Sequence, residues 1–374
     1  MMSENLVSLI VICYNQEKYL EKAFNSVVSQ TYKPLEVIIV DNASTDKTPE
    51  IIKTFVERYN WKSIFHQKNN GPAGARNAGI AVSQGEYICF LDGDDLIEPT
   101  KVAFQVGKFL SHSEIDIIYT GTRIIDEQDN LLQIVPVKSY SPEDFRVLMY
   151  IRNIVPAPAS LMFRRKIFTH GFRYDERYTR CEDYELMLRL IKQYNFYGLD
   201  EPLYYYRRHS KNSSNYHSLD KQVEVEIIKE ILFGEVEQAA AASTFEIERK
   251  NILLGQFMMK QGKFREALKY FERNLDHKSI WYRGNCYFLM NDSNSALHYY
   301  LKITIPFPEL LNNLGVVYKI NGNLDKAKTC FEEASRLNTN YSDPVRNQKY
   351  LKGSDHFFTT FELRQNLTLY QKIN

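Results

Sequence analysis

The sequence predicts an α/β domain built on a mostly parallel sheet, followed by an all-α domain of helical repeats. Two observations carry this reading. Up to Asp95, short β-branched runs alternate with segments of helical spacing, and in the last third a glycine–alanine–aromatic pattern recurs three times. A chain of 374 residues is long enough for two domains that each bury a core.

The strands and helices of the first part follow in order. Val7–Cys13 is a β-branched run, and Lys18–Ser29 places Leu20, Phe24 and Val27 on one helical face. Glu36–Asp41 reads as a buried strand, Thr48–Tyr59 as a helix, Ser63–Gln67 as a strand, Ala73–Val82 as a helix and Glu86–Leu91 as a fourth strand. Such short connections imply a parallel sheet wrapped by helices. Ligands in such sheets bind beyond the C-terminal ends of the strands, so the polar residues there are the ones to examine. Further on, the pattern predicts strands near 115–120 and 122–136, a helix from about Glu143, a helix over Glu182–Tyr194 and a Tyr-rich strand over Leu203–Arg208. Ser210–Ser218 is a polar stretch with the composition of a lid, and a long helix is expected over about 219–242.

The repeats begin after that helix. Gly255, Gly284 and Gly315 are followed twelve residues later by Ala267, Ala296 and Ala327, and four residues beyond stand Phe271, Tyr300 and Phe331. The pattern resembles the tetratricopeptide repeat, in which small residues let helices approach and the aromatic fills the gap. The period of 29 and then 31 residues is shorter than the usual one of about 34. The domains expected are 1–217 as the α/β domain, 218–243 as a linking helix and 244–374 as the repeat domain.

Charge and cysteine usage narrow the function. With 47 Lys+Arg against 46 Asp+Glu the net charge is +1, which argues against a nucleic-acid binder. Five scattered cysteines without a CxxC pair fit a reducing, cytoplasmic location better than a disulfide framework or zinc site. The first twenty residues do not read as a signal peptide, and no apolar run is long enough to span a membrane. Membrane contact is expected to be peripheral at most.

Four constellations follow strands or open a helix: Cys13-Tyr14-Asn15, Asp41-Asn42-Ala43-Ser44-Thr45-Asp46, Asp92-Gly93-Asp94-Asp95 and Cys181-Glu182-Asp183. Asp41 can cap a turn, or it can accept a hydrogen bond from a nucleobase imide. Three carboxylates within Asp92–Asp95 repel one another, and a hard divalent cation shared with phosphate oxygens would compensate them. A calcium loop would need a longer ligand series that is absent here. Glu182 and Asp183 complement a helix N-terminus and also suit a general base.

Together, SLIVICYNQEKYL, EVIIVDNASTDKT, NNGPAGARNAGI, GEYICFLDGDD and CEDYELMLRL resemble the family 2 inverting glycosyltransferases with the Rossmann-like A-type fold, over roughly residues 6–210. The resemblance implies transfer of a sugar from a nucleotide diphosphate donor, a UDP-sugar for preference, to an acceptor hydroxyl. It implies that Tyr14 and Asp41 hold the nucleobase, Arg76 approaches the diphosphate, and Asp92 faces the ribose. Asp94, with Asp95 as a third carboxylate, would hold Mn2+ or Mg2+, and His209 would help bind metal or diphosphate. Asp183 would be the acceptor base. Two positions depart from the pattern: Asn42-Ala43 stands for Asp-Gly, and Cys181 for the Gly before Glu-Asp. The second departure predicts a changed loop shape on the acceptor side.

Three rivals read less well. A dehydrogenase would carry GxGxxG after the first strand, where CYNQEKYL stands, and a nucleotidyltransferase would show phosphate-loop glycines and a lysine. A non-enzymatic scaffold would not need to retain Asp41, Asp92, Asp94 and Asp183. A glycan, a lipid-linked oligosaccharide or a peptide is the expected acceptor; the repeats would bind it or form a homodimer. The segment Phe357-Phe358-Thr359-Thr360-Phe361 would cap the stack or join subunits.

Overall fold

A computed structural model describes residues 5–212, 217–339 and 341–349, with Leu351 and Thr359. Contacts divide the chain into two units, Met1–Ile231 and Leu232–Asn374.

The first unit opens with β1 (Val7–Cys13), α1 (Leu20–Val28), β2 (Leu35–Asp41), α2 (Thr48–Tyr59), β3 (Lys62–Phe65), α3 (Gly71–Val82) and β4 (Tyr87–Asp92). There follow β5 (Leu96–Ile97), α4 (Lys101–Ser111), β6 (Ile117–Ile125), β7 (Leu131–Val135), α5 (Pro142–Ile151) and β8 (Met162–Arg164). The unit closes with α6 (Lys166–Thr169), α7 (Glu182–Leu190), β9 (Phe196–Arg207) and α8 (His217–Lys229).

One sheet runs β3-β2-β1-β4-β8-β6-β9-β5, with β7 paired to β6. β1 to β4 are parallel, as are β6 and β9, whereas β8 and β5 run antiparallel to their neighbours. The chain builds outward from β1 through β2 to β3, then returns to place β4 on the other side of β1. That reversal opens a crevice at the strand ends, the place where such sheets bind ligands. Register brings Asp41 opposite Cys13 and Asp92 opposite Ile12, so the two aspartates flank the end of β1.

Helices pack on the sheet through the apolar stripe the sequence predicts. α1 buries Leu20, Ala23, Phe24 and Val27. In α3, a Cβ at Gly79 would run into Ile10 of β1, so glycine there permits the helix to lie close on the strand.

Several boundaries move. The strands expected at 115–120 and 122–136 are instead one continuous β6 and a short β7, and β9 begins at Phe196 rather than Leu203. The helix predicted to run to Tyr194 stops at Leu190. The helix expected over 219–242 is two, α8 and α9 (Phe233–Ala242), parted where Leu232 turns to extended backbone with φ −72° and ψ 131°.

The second unit continues α10 (Ile247–Lys260), α11 (Phe264–Phe271), α12 (His277–Leu289), α13 (Ser293–Leu301), α14 (Pro308–Ile320), α15 (Leu324–Leu337) and α16 (Ser342–Lys349). The three repeated positions acquire a shared geometry. A Cβ at Gly255 would lie 2.5 Å from the Phe271 ring, one at Gly315 2.5 Å from the Phe331 ring, and one at Gly284 would run into Tyr300. In each pair the aromatic of the second helix lies directly on the bare backbone of the first. Buried asparagines lie within the stack: Asn251 Nδ2 donates to Asn274 Oδ1 at 3.0 Å, and Asn347 Nδ2 to Asn312 Oδ1 at 2.9 Å. Thr359 aside, the aromatic segment 357–361 lies outside the described residues. Among the described residues no helix is long and apolar enough to cross a membrane.

Candidate active site

Two loops leave the C-terminal ends of β1 and β2 and are stitched to each other. Asn15 N–H donates to Ser44 Oγ (2.9 Å), and Thr45 N–H donates back to Asn15 Oδ1 (2.8 Å). Gln16 N–H donates to Thr48 Oγ1 (2.9 Å), Glu17 N–H to Asp46 Oδ2 (3.1 Å), and Lys47 N–H to Glu17 Oε2 (3.0 Å). Backbone donors and side-chain acceptors thus answer one another across the crevice edge.

Asp41 sits beneath this edge with 3% of its surface exposed. Its Oδ2 accepts from Ser44 N–H at 3.2 Å, while Oδ1 is buried without a hydrogen-bond partner. A buried carboxylate oxygen left unpaired costs about 1–3 kcal/mol or more, unless a ligand donor reaches it. Tyr14, next in the chain after β1, is 46% exposed at the same edge. Asn42 turns away from the crevice: its Nδ2 donates to Asn69 Oδ1 (2.8 Å), and its Oδ1 accepts from Asn70 N–H (3.0 Å). It holds the loop that starts α3, a task an amide does with both ends and a carboxylate could not. Ala43 takes φ +66°, so the departure from glycine leaves a left-handed backbone bearing a side chain.

The acidic turn after β4 splits between different neighbours. Asp92 Oδ1 accepts from Arg76 Nη2 at 2.9 Å. Asp94 Oδ2 meets His209 Nε2 at 2.9 Å, both side chains being largely buried. Asp95 faces β9 rather than the crevice: its Oδ1 accepts from Arg207 N–H at 2.8 Å and its Oδ2 from the Tyr204 hydroxyl. Burial first, then Asp94 and Asp92, push the Asp95 carboxyl well above the usual range. Between them, a Cβ at Gly93 would displace the Gln16 side-chain amide. The buried Cys13 thiol is pushed up by burial and then by Asp41, Asp94, Asp92 and Asp46, so these carboxylates ring the end of β1.

Arg76, on α3, is buried. Its Nη1 pairs with Glu182 Oε1 at 2.5 Å and its Nη2 with Asp92, so both terminal nitrogens are taken by carboxylates. Burial opposes its charge, but Asp92 and Glu182 outweigh that and raise its pKa. Sequence reasoning pointed Arg76 at a diphosphate; the geometry makes it a bridge between the end of β4 and the start of α7. The next residue, Asn77, clamps the segment leading to α7, donating to Tyr174 C=O (2.9 Å) and accepting from Tyr174 N–H (3.0 Å).

At the start of α7, burial first and then Glu182 raise the Asp183 carboxyl to about 7, against the pull of Arg76. Cys181 takes φ +55°, a left-handed backbone that favours glycine. The Arg180 guanidinium pairs with Asp220 of α8, and Cys181 Sγ donates to Asp220 C=O at 3.6 Å.

His209 follows β9. Its N–H donates to Asn212 Oδ1 (2.5 Å), and its ring lies 4.9 Å from the Tyr19 ring. Residues 209–212 thus form a pinned turn, residues 213–216 of the expected lid lie outside the described residues, and 217–218 begin α8. Among the described residues no group of three or more His, Cys, Asp or Glu side chains comes together as a metal centre. Asp94 and His209 are a pair of O and N donors, and such a pair fits a divalent cation whose remaining ligands come from a phosphate substrate.

Comparison with known proteins bears on the family and the fold. The profile of glycosyl transferase family 2 matches residues 8–172, and a tetratricopeptide-repeat profile matches residues 308–341. An uncharacterized glycosyltransferase of Methanocaldococcus jannaschii is 31% identical over 226 residues, covering 59% of this chain and 76% of that protein. The glycosyltransferase GlyG of Streptococcus pneumoniae is 29% identical over 226 residues, 56% of this chain and 72% of that one. Among solved structures, S. aureus TarS 1–349 in complex with UDP-GlcNAc shares the fold, with 18% identity, a TM-score of 0.53, and coverage of 88% of this chain and 91% of that one. Fold and relatives together define an enzyme that transfers sugars on an A-type scaffold. The chain belongs to glycosyltransferase family 2, with tetratricopeptide-repeat helices after the catalytic unit.

Proposed function

We propose that this glycosyltransferase takes a UDP-sugar, uses a divalent cation and inverts the anomeric centre in passing the sugar to a glycan hydroxyl. The unpartnered, buried Oδ1 of Asp41 carries the donor assignment. A uracil imide N–H is the donor that atom lacks, and the exposed Tyr14 ring beside it suits the base. The complex of TarS with UDP-GlcNAc supports the same choice of nucleotide.

Asp92 would receive the ribose, and Asp94 with His209 would hold Mn2+ or Mg2+ against the diphosphate. The cation supplies charge neutralisation as the anomeric carbon–oxygen bond breaks and the electron pair passes to the diphosphate. Asp183 takes the proton from the acceptor oxygen as that oxygen bonds to the anomeric carbon from the opposite face. A carboxyl raised to about 7 is half ionised at neutral pH and a stronger base than an ordinary aspartate. Glu182 is spent on Arg76, which leaves Asp183 as the carboxylate of the pair not engaged by that guanidinium. Arg76 holds Asp92 and Glu182 in place rather than clamping phosphate. Asp95 ties the acidic turn to β9. The repeat unit serves acceptor choice or self-association and performs no chemistry.

Nucleotide release from UDP-, GDP- and TDP-sugars, with and without Mn2+, tests this reading. Turnover confined to UDP-sugars and lost in EDTA is expected. Full turnover in excess EDTA, or equal use of GDP-sugars, would refute it.

A further inference from the structure

Arg207 is fully buried, and the neighbouring groups converge on it from several directions. Its N–H donates to Asp95 Oδ1 at 2.8 Å, and its Nε donates to the Asp94 carbonyl at 2.8 Å. Its Nη1 donates to the Asp126 carbonyl at 3.2 Å and pairs with Asp129, in the turn between β6 and β7. Its guanidinium lies over the Tyr19 ring at 5.0 Å, and that ring rests against His209. Its carbonyl accepts from Asn212 Nδ2 at 3.0 Å, and Asn212 Oδ1 takes the His209 N–H.

We propose that Arg207 is a positioning residue that fixes Asp94 and His209 together, and that the Asp126–Asn130 turn anchors its guanidinium. This rests on the reading of Asp94 and His209 as metal ligands. Burying a full positive charge gains little stability by itself, because desolvation offsets the attraction of the partner. What the burial does provide is a planar fork whose donors reach two separate elements at set angles, which lysine cannot reproduce. The turn is itself braced from outside: Lys18 pairs with Glu127 and Lys22 with Asp129. Asp126 closes it internally, Oδ1 accepting from Gln128 N–H (2.8 Å) and Asn130 N–H (2.9 Å). A chain of contacts therefore runs from Lys22 of α1 through the turn and Arg207 to both ligands. Groups that orient metal ligands from behind are commonly worth about 10–100-fold in metal affinity.

The test measures Mn2+ binding to the UDP-saturated full chain by calorimetry, with UDP binding in EDTA as the control. Arg207→Lys and Asp129→Asn should each weaken Mn2+ roughly 10–100-fold while metal-free UDP binding stays within about twofold. Asp129 is partly exposed in a turn, so its variant decides the matter if Arg207→Lys does not fold. Unchanged Mn2+ affinity in Asp129→Asn overturns the proposal, and so does a parallel loss of metal-free UDP binding, which would mark a purely structural role. Asp94→Asn separates the two levels: if it still binds Mn2+ as the wild type does, the ligand reading itself has failed.

Discussion

If Asp183 is the acceptor base, its raised carboxyl predicts a steep dependence of transfer on pH. With a pKa of about 7, about a tenth of it is ionised at pH 6 and about nine tenths at pH 8. Transfer, read as kcat/KM for the acceptor at saturating donor and Mn2+, should therefore rise roughly tenfold over that interval. An aspartate at its ordinary value of about 3.9 would give a flat line across the same range. The perturbation that isolates the cause is Glu182→Gln. It removes the negative neighbour that raises Asp183 and releases Arg76 from one of its carboxylates. Both changes favour ionised Asp183, so the acidic limb should move to lower pH. Stability gives an independent sign. Because the folded chain holds this proton more tightly than the unfolded chain, it loses stability as pH rises from about 4 through about 7. Asp183→Asn should therefore melt higher than the wild type at pH 8, without that advantage at pH 4, while transfer falls about 10²-fold or more. A flat profile between pH 6 and 8, or a limb that moves upward in Glu182→Gln, would refute the reasoning.

Asp41→Asn should weaken UDP binding by roughly ten- to a hundredfold in calorimetry, the loss of one hydrogen bond to a charged group, with the melting temperature nearly unchanged. Asp94→Asn should abolish the Mn2+ dependence of donor binding while the protein keeps its circular dichroism. Gly255→Ala should destabilise the repeat unit by about 1–3 kcal/mol in denaturant unfolding, since its Cβ would sit 2.5 Å from the Phe271 ring. Cys181→Gly should be tolerated and melt no lower than the wild type, because it relieves a left-handed backbone; a large loss would mean that the Sγ contact to Asp220 outweighs the strain.

β2 and β4 are legible because each holds a short apolar run closed by an aspartate, Asp41 and Asp92. The repeats were legible because glycine and aromatic recur at a fixed distance, and that distance is the one that lays Phe271 on Gly255. What stayed hidden depends on pairing across long stretches of chain. Nothing local in α3 says that Arg76 meets Glu182, 106 residues on. Asp95 reads as a metal ligand beside Asp94, and only the antiparallel pairing of β5 with β9 turns it toward Tyr204 and Arg207. Arg207 gives no such sign either, because a buried arginine in a Tyr-rich strand carries no local signal of the elements it joins. Residues 219–242 have continuous helical composition, and composition does not register the break at Leu232.

The reciprocal hydrogen bonds between the loops after β1 and β2 bear on the entropy of donor binding. Asn15, Glu17, Ser44, Asp46 and Thr48 hold the two loops together through these bonds. On the proposed reading, a nucleotide base would meet walls already held by these bonds, and little conformational freedom would be left to lose on that side of the crevice. Affinity for the base can then be high with few contacts, and the same stiffness should make the pocket discriminating. A purine, which is larger and lacks the uracil imide, would find no loop free to move aside.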